Sequence, residues 1–194
     1  HEFVVFTDRP EKAGAFRTMP VQRPPIGRAG WWSKIELFNP AHDICGRVLY
    51  LDLDVLIIDG LDEIVNFPAE FALVPDGGTF RGRGHLRVVK KYNSSVMVWD
   101  DRARPKLERV HRAFGKDVVS RLWGDQDLIG EMLPYEETMP SDWFPRLSEV
   151  SFPWRNGADA LISLRSRDAK VVLSKKPKNE EAAEKWPWFR EMWG

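Results

Sequence analysis

Two aspartates, Asp52 and Asp54, sit two residues apart inside an otherwise apolar run, VLYLDLDVLII at 48–58. Read as one continuous strand, the run turns positions i and i+2 to the same face, so both carboxylates point the same way. Two like charges on one face of a buried strand repel and lose hydration unless a cation lies beside them. Hard divalent ions, Mg2+ or Mn2+, favour oxygen ligands, and Mg2+ commonly combines one or two carboxylates with substrate phosphates. The pair therefore suits a metal–diphosphate complex, in which the cation offsets charge developing on a departing diphosphate. The same spacing is met at strand ends whose acids are solvated or paired with arginine, so by itself it leaves both readings open.

The elements that must position this pair follow from hydrophobic patterning. Short apolar runs at 3–6, 47–58, 71–74, 94–99 and 170–173 read as buried strands. Three of the runs are followed by acids, at Asp8, Asp76 and Asp100–Asp101. Helical spacing covers 31–38, stopped by Asn39–Pro40, then 106–114, and then 126–133, stopped by Pro134. Alternating strands and helices predict an α/β fold with a largely parallel sheet. Such sheets place their chemistry beyond the carboxyl ends of strands. The stretch 80–91, with Gly82, Gly84 and five basic residues (Arg81, Arg83, Arg87, Lys90, Lys91), reads as a mobile basic loop or an ordinary solvated one. The polar stretch 175–184 reads as a flexible tail segment.

Lys plus Arg equals Asp plus Glu at 29 each, which excludes a bulk basic surface for nucleic acid. The lone Cys45 excludes an internal disulfide framework and a cysteine-based zinc site, and fits a reducing, cytoplasmic setting. No apolar run approaches the ~18 residues of a membrane span. The length of 194 residues suits a single domain, 1–194. The chain opens without Met on a strand-like run, so its domain is expected to be incomplete at the N-terminus. His1, His42, His85 and His111 share no ligand spacing and read as structural or exposed. Trp31, Trp143 and Trp154 lie near loop signals, where indole faces can line a sugar site or simply pack. Trp186, Trp188 and Trp193 read as packing for a C-terminal helix or as an interaction patch.

The segment RVLYLDLDVLI at 47–57 resembles the DxD strand of GT-A glycosyltransferases of the glycogenin and bacterial lipopolysaccharide galactosyltransferase group, a family 8-like set. Other segments agree in order. GWWSKIELF at 30–38 resembles the helix before that strand in bacterial members. YNSSVMVW at 92–99 resembles the group's "FNSGVMV" segment, and WGDQDLI at 123–129 resembles "GDQDLL". The likeness runs over nearly the whole chain. It implies a GT-A, Rossmann-like nucleotide-diphospho-sugar transferase fold with a central mixed, mostly parallel sheet, lacking its first strand here, and a bacterial source. It implies transfer of a hexose, from a donor expected to be UDP-linked, to a hydroxyl acceptor on a glycan, lipid or protein, with retention of configuration and with Mn2+ or Mg2+ as cofactor.

Carried over position by position, the resemblance assigns Asp52 and Asp54 to the metal, with Asp52 also facing the ribose side of the donor. Lys34 contacts the donor; otherwise it is a lysine snorkelling from an amphipathic helix. Asn93 and Ser94 line the sugar pocket, or form a turn entering the strand. Asp125 and Gln126 contact the transferred sugar at the reacting centre, a role compatible with capping a helix N-terminus. Lys176 and Lys178 reach the diphosphate, or belong to an exposed basic tail. Members of the group place a metal-binding His in a late motif, "HGxPKP". Here VLSKKPK at 172–178 puts Ser174, a weaker ligand, at that position. Two alternatives follow: a glycosyltransferase-like domain that binds nucleotide-sugar or glycan with little turnover, and a haloacid-dehalogenase-like phosphotransferase, which also carries Asp-x-Asp after a strand.

Overall fold

The computed structural model describes residues 2–21, 30–76, 79–81, 87–89, 92–146, 163–164 and 168–173. In chain order the strands among them are β1 (Val4–Thr7), β2 (Arg17–Pro20), β3 (Val48–Leu51), β4 (Val55–Ile57), β5 (Phe71–Pro75), β6 (Thr79–Arg81), β7 (Arg87–Val89), β8 (Tyr92–Trp99), β9 (Glu137–Thr138) and β10 (Val171–Leu173). The α-helices are α1 (Asp62–Val65), α2 (Arg104–Ala113), α3 (Lys116–Arg121) and α4 (Asp125–Met132). A 3-10 helix spans Gly30–Phe38. The chain forms two compact units, each assembled from separated stretches. One comprises His1–Gly46, Gly77–Lys91 and Asp100–Tyr135; the other comprises Arg47–Asp76, Tyr92–Trp99 and Glu136–Gly194.

In the first unit, β1 and β2 pair in parallel. The helix expected at 31–38 is present, wound as a 3-10 helix. Its buried residues Trp32, Ile35 and Phe38 recur every third position, which is the period at which side chains eclipse in that geometry. Trp32 stacks on Phe114 with ring centroids 5.5 Å apart. Helix α2 starts with Pro105 in its first turn, where no N–H partner is needed, and buries Leu107 and Val110 at i, i+3 spacing. Arg112 in its last turn complements the helix dipole. Glu36 lies 3.3 Å from His42 Nε2 and 3.4 Å from His111 Nε2, and the second of these approaches links the 3-10 helix to α2. These two histidines, which share no sequence spacing, are thus structural. In the stretch read as a loop, β6 and β7 pair antiparallel with Phe80 opposite Val88, so the described part of 80–91 is a hairpin. Residues 82–86 and 90–91 lie outside the described residues.

In the second unit, a sheet runs in the order β3-β8-β5-β9. Strand β5 is buried from Phe71 to Val74 and β8 from Val96 to Trp99, as expected of strands covered on both faces. Burial of each Phe, Leu, Val or Met side chain among them stabilises by about 1.5–3 kcal/mol. The sheet is mixed, as read from the sequence. Its β3–β8 and β5–β8 pairs are antiparallel, and β5–β9 is parallel. Among the described strands, antiparallel pairing therefore outweighs the mostly parallel arrangement anticipated above. The reason lies in the connection: the described residues between β5 and β8 pair as the β6–β7 hairpin, and a parallel neighbour needs a crossover.

The stretch 47–58, read as one strand, is two. Strand β3 belongs to the sheet, whereas β4 pairs antiparallel with β10. Val171 and Leu173 of β10 share one core cluster with Val74, Val96, Val98, Met139 and Phe144. The Arg47 guanidinium gathers a loop beside β3: Nε donates to Val65 O at 2.6 Å, Nη1 to Ala69 O at 2.6 Å, and Nη2 to Phe67 O. Lys170 Nζ meets Glu63 at 2.5 Å and Asp168 at 3.1 Å. Among the described residues no helix is long and apolar enough to cross a membrane.

Candidate functional site

The acidic pair stands in a turn. The backbone N–H of Val55 donates to Asp52 O at 3.4 Å, closing a four-residue reversal between β3 and β4. This corrects the expectation of two carboxylates on one face of a continuous strand. A carboxylate in a turn keeps part of its hydration, and Asp is favoured in turns because its side chain bonds nearby backbone. Leu53, between the two acids, is 90% exposed, whereas Asp52 and Asp54 are half-buried. The Tyr50 hydroxyl donates to Asp52 Oδ1 at 2.6 Å, holding that carboxylate over the end of β3. Both acids therefore lie beyond the carboxyl end of β3, where open α/β sheets carry their ligands.

Sheet pairing brings further residues to the same edge of this unit. Leu51 is opposite Val96, and the Asp52 N–H donates to Ser95 O at 2.8 Å. Asn93 and Ser94 precede Ser95 on β8, so two residues assigned to the sugar pocket lie beside the acidic turn. Asn93 Oδ1 accepts from the Ser95 N–H at 2.8 Å, which uses one acceptor and leaves its amide donors to other partners. Ser94 is buried. Here β8 carries an irregularity, Val74 facing Asn93 while Leu73 faces Met97. Bulges of this kind re-aim side chains at the ends of strands. Asp76 follows β5 at this edge and pairs with Arg146. The Tyr92 hydroxyl donates to Glu136 O at 3.1 Å, and burial pushes its pKa up, so it remains a donor.

The late motif is joined to the acidic turn through β10. Leu173 is opposite Val55, the residue after Asp54, and also bridges Arg146. Ser174, Lys176 and Lys178 lie outside the described residues, as do Trp154, Trp186, Trp188 and Trp193. Among the described residues no group of three or more His, Cys, Asp or Glu side chains converges as a ready metal cage. Two carboxylate donors in one tight turn nonetheless fit a hard divalent ion whose remaining ligands are phosphates and water.

In the first unit, Lys34 and Asp125 are paired, Nζ to Oδ2 at 3.5 Å. The side chains are 8% and 5% exposed, so this is a buried ion pair. Lys34 comes from the 3-10 helix and Asp125 from the first residue of α4. Lys34 is accordingly no snorkelling lysine. Gln126 follows on α4, half-buried. Sequence reasoning missed Asp127 and Trp123. Asp127 Oδ2 accepts from the Trp123 N–H at 3.1 Å, and Trp123 O accepts from Trp31 Nε1 at 3.1 Å. Asp127 was legible only as the second acid of WGDQDLI. Trp143, in contrast, is a packing residue: its Nε1 donates to Asp168 at 3.0 Å and its ring meets Phe67 edge-on at 6.1 Å.

No family model matches the chain, and no curated protein matches it. Solved structures do. The galactosyltransferase LgtC, solved in complex with donor and acceptor sugar analogs, aligns with 92% of this chain and 74% of its own at a TM-score of 0.55 and 15% identity. The glycosyltransferase GlyE of Streptococcus pneumoniae TIGR4 aligns with 92% of this chain at a TM-score of 0.54 and 11% identity; the alignment spans only 48% of GlyE. A glycosyltransferase involved in glycosylation of the major capsid of PBCV-1 aligns with 91% of this chain and 84% of its own, at a TM-score of 0.50 and 8% identity. The chain thus has a GT-A-type glycosyltransferase fold. The phosphotransferase alternative falls with that result, since its Asp-x-Asp belongs to a different architecture.

Proposed function

We propose that this chain is a metal-dependent glycosyltransferase that moves a hexose from a UDP-linked donor to a hydroxyl acceptor with retention. The observation that carries the reading is the Asp52-Leu53-Asp54 turn at the carboxyl end of β3, beside Asn93 and Ser94, within a GT-A-type fold. The interleaving of the two units along the chain supports a single domain over 1–194. The resemblance to family 8-like bacterial enzymes supports the donor class, and the lone Cys45 supports a cytoplasmic setting.

Asp52 and Asp54 would hold Mn2+ or Mg2+, which supplies positive charge to the diphosphate as the bond from phosphate oxygen to the anomeric carbon breaks. Tyr50 orients Asp52 through the hydrogen bond to its Oδ1. Asn93 and Ser94 recognise sugar hydroxyls. Asp125, paired with Lys34, and Gln126 address the transferred sugar. The acceptor hydroxyl oxygen forms the new bond to the anomeric carbon, and its proton leaves with the diphosphate. Lys176 and Lys178 belong to this proposal as diphosphate contacts.

A second reading, a domain that binds nucleotide-sugar or glycan with little turnover, draws on one observation: Lys34 and Asp125, both assigned to the donor, engage each other. The deciding experiment is calorimetric titration of UDP, with and without Mn2+, on this chain and on Asp52→Ala/Asp54→Ala. Metal-dependent binding lost in the double variant is the expected result. UDP affinity that is independent of Mn2+, or retained in the double variant, would sink the metal–donor reading. Release of hexose from UDP-hexose then separates transferase from binding domain.

A further inference from the structure

We propose that Trp31 and Trp123 form a stacking platform for a pyranose ring of the acceptor, beside the Lys34–Asp125 pair. The proposal rests on the glycosyltransferase reading and adds the acceptor subsite to it. Trp31, on the 3-10 helix next to buried Trp32, is 52% exposed, and Trp123, in the connection between α3 and α4, is 46% exposed. The exposed aromatics Phe3 and Phe16 of this unit form a tilted ring pair with centroids 5.0 Å apart.

The two tryptophans are held in place rather than left loose. Trp123 is fixed through its backbone on both sides: its N–H donates to Asp127 Oδ2, and its carbonyl accepts from the Trp31 indole, each at 3.1 Å. Trp31 lies over Gly124, where a Cβ would stand 3.4 Å from Cδ1 and Nε1 of the indole. The indole N–H of Trp31 is therefore already satisfied by the protein, and what that ring offers a ligand is its aromatic surface. A ring fixed before binding loses little conformational freedom when a ligand arrives.

Position ties the platform to the polar residues. Trp31 and Lys34 are three residues apart on a 3-10 helix, so they lie one above the other on the same face. Trp123 precedes Asp125 by two residues. Buried charge beside exposed indole is poorly suited to an apolar protein surface, which would have to cover the pair without bonding to it. It suits a sugar. One face of a pyranose presents C–H groups of slight positive charge to the negative face of an aromatic ring, while the hydroxyl rim seeks polar partners.

The test is saturation-transfer NMR on the full chain with methyl β-D-glucopyranoside and methyl β-D-galactopyranoside, and with uridine as a nucleobase probe. Trp31→Ala and Trp123→Ala are compared with the conservative Trp31→Phe and Trp123→Phe, and thermal melts verify that each is folded. The expected result is transfer to the ring C–H protons of at least one glycoside, weakened about three- to tenfold in each Ala variant and partly restored by Phe. Three results overturn the proposal: no transfer to either glycoside at millimolar concentration, equal transfer in wild type and folded Ala variants, or transfer to uridine alone that the Ala variants lose. The Mn2+–UDP titration on wild type separates this idea from the donor assignment. Glycoside binding without metal-dependent UDP binding keeps the platform and removes the donor reading; UDP binding without glycoside binding does the reverse.

Discussion

Replacing Lys34 with Met leaves a stem of similar length and removes its charge from a side-chain pair that is 8% and 5% exposed. At the 3.5 Å separation of Nζ and Oδ2, an effective dielectric constant of about 20 gives a gross attraction of about 5 kcal/mol. Much of that is offset in the wild type by the desolvation of both groups. What remains after Lys34→Met is a buried carboxylate without its cation, and breaking such a pair typically costs ~3–5 kcal/mol. In a domain of this size each kcal/mol moves the melting temperature by roughly 2–4 °C, so the expected loss is about 6–20 °C. Asp125→Leu should cost a similar amount, because it strands the ammonium. The double variant Lys34→Met/Asp125→Leu should lie well above either single one, since replacing a buried pair with apolar groups is often neutral. Urea denaturation of all four proteins, with the slope held common, yields the coupling directly. Single variants that each lose less than about 1 kcal/mol, with additive effects in the double, would show that the pair is not desolvated and that the reasoning is wrong.

Arg47→Lys should destabilise by about 2–4 kcal/mol, because one ammonium cannot serve the carbonyls of Val65, Phe67 and Ala69 that the planar guanidinium satisfies together; urea midpoints measure it. Stability should also fall on both sides of neutrality. The Glu131 carboxyl is held below its usual range by the hydrogen bond from Arg121, and that of Asp168 by the hydrogen bond from Lys170 and then that from Trp143. A lowered carboxyl contributes stability above its unfolded pKa and loses it as pH drops through the folded value, so urea midpoints should decline below about pH 4.5. Lys170 is raised by its bonds to Glu63 and then Asp168, so its contribution persists below the ordinary lysine range and disappears as pH rises through the folded value. Glu131→Gln should flatten the acid limb and Lys170→Met the alkaline one; limbs identical to wild type would refute the assignment.

What could be read without the structure was whatever the chain writes locally. The apolar runs that became β3, β5, β8 and β10, the i, i+3 spacing of α2, and each of the Asp52–Asp54, Asn93–Ser94 and Asp125–Gln126 segments are set by residues within a few positions of one another. Together they specify the class of fold, because strand and helix periods and the acids that end strands are short-range properties. Three things needed the tertiary structure. Whether 47–58 runs on as one strand or reverses at Asp52–Val55 depended on two different partners, β8 for β3 and β10 for β4. Strand direction in the sheet depended on the path between β5 and β8, whose described residues pair as a hairpin. Side-chain pairs depended on contacts between distant positions: Trp31 with Trp123 across 92 residues and Lys34 with Asp125 at the candidate site, and His111 beside Glu36 in the packing of the first unit. Such contacts leave no periodic trace, because packing of the elements, rather than spacing along the chain, brings the side chains within reach of one another.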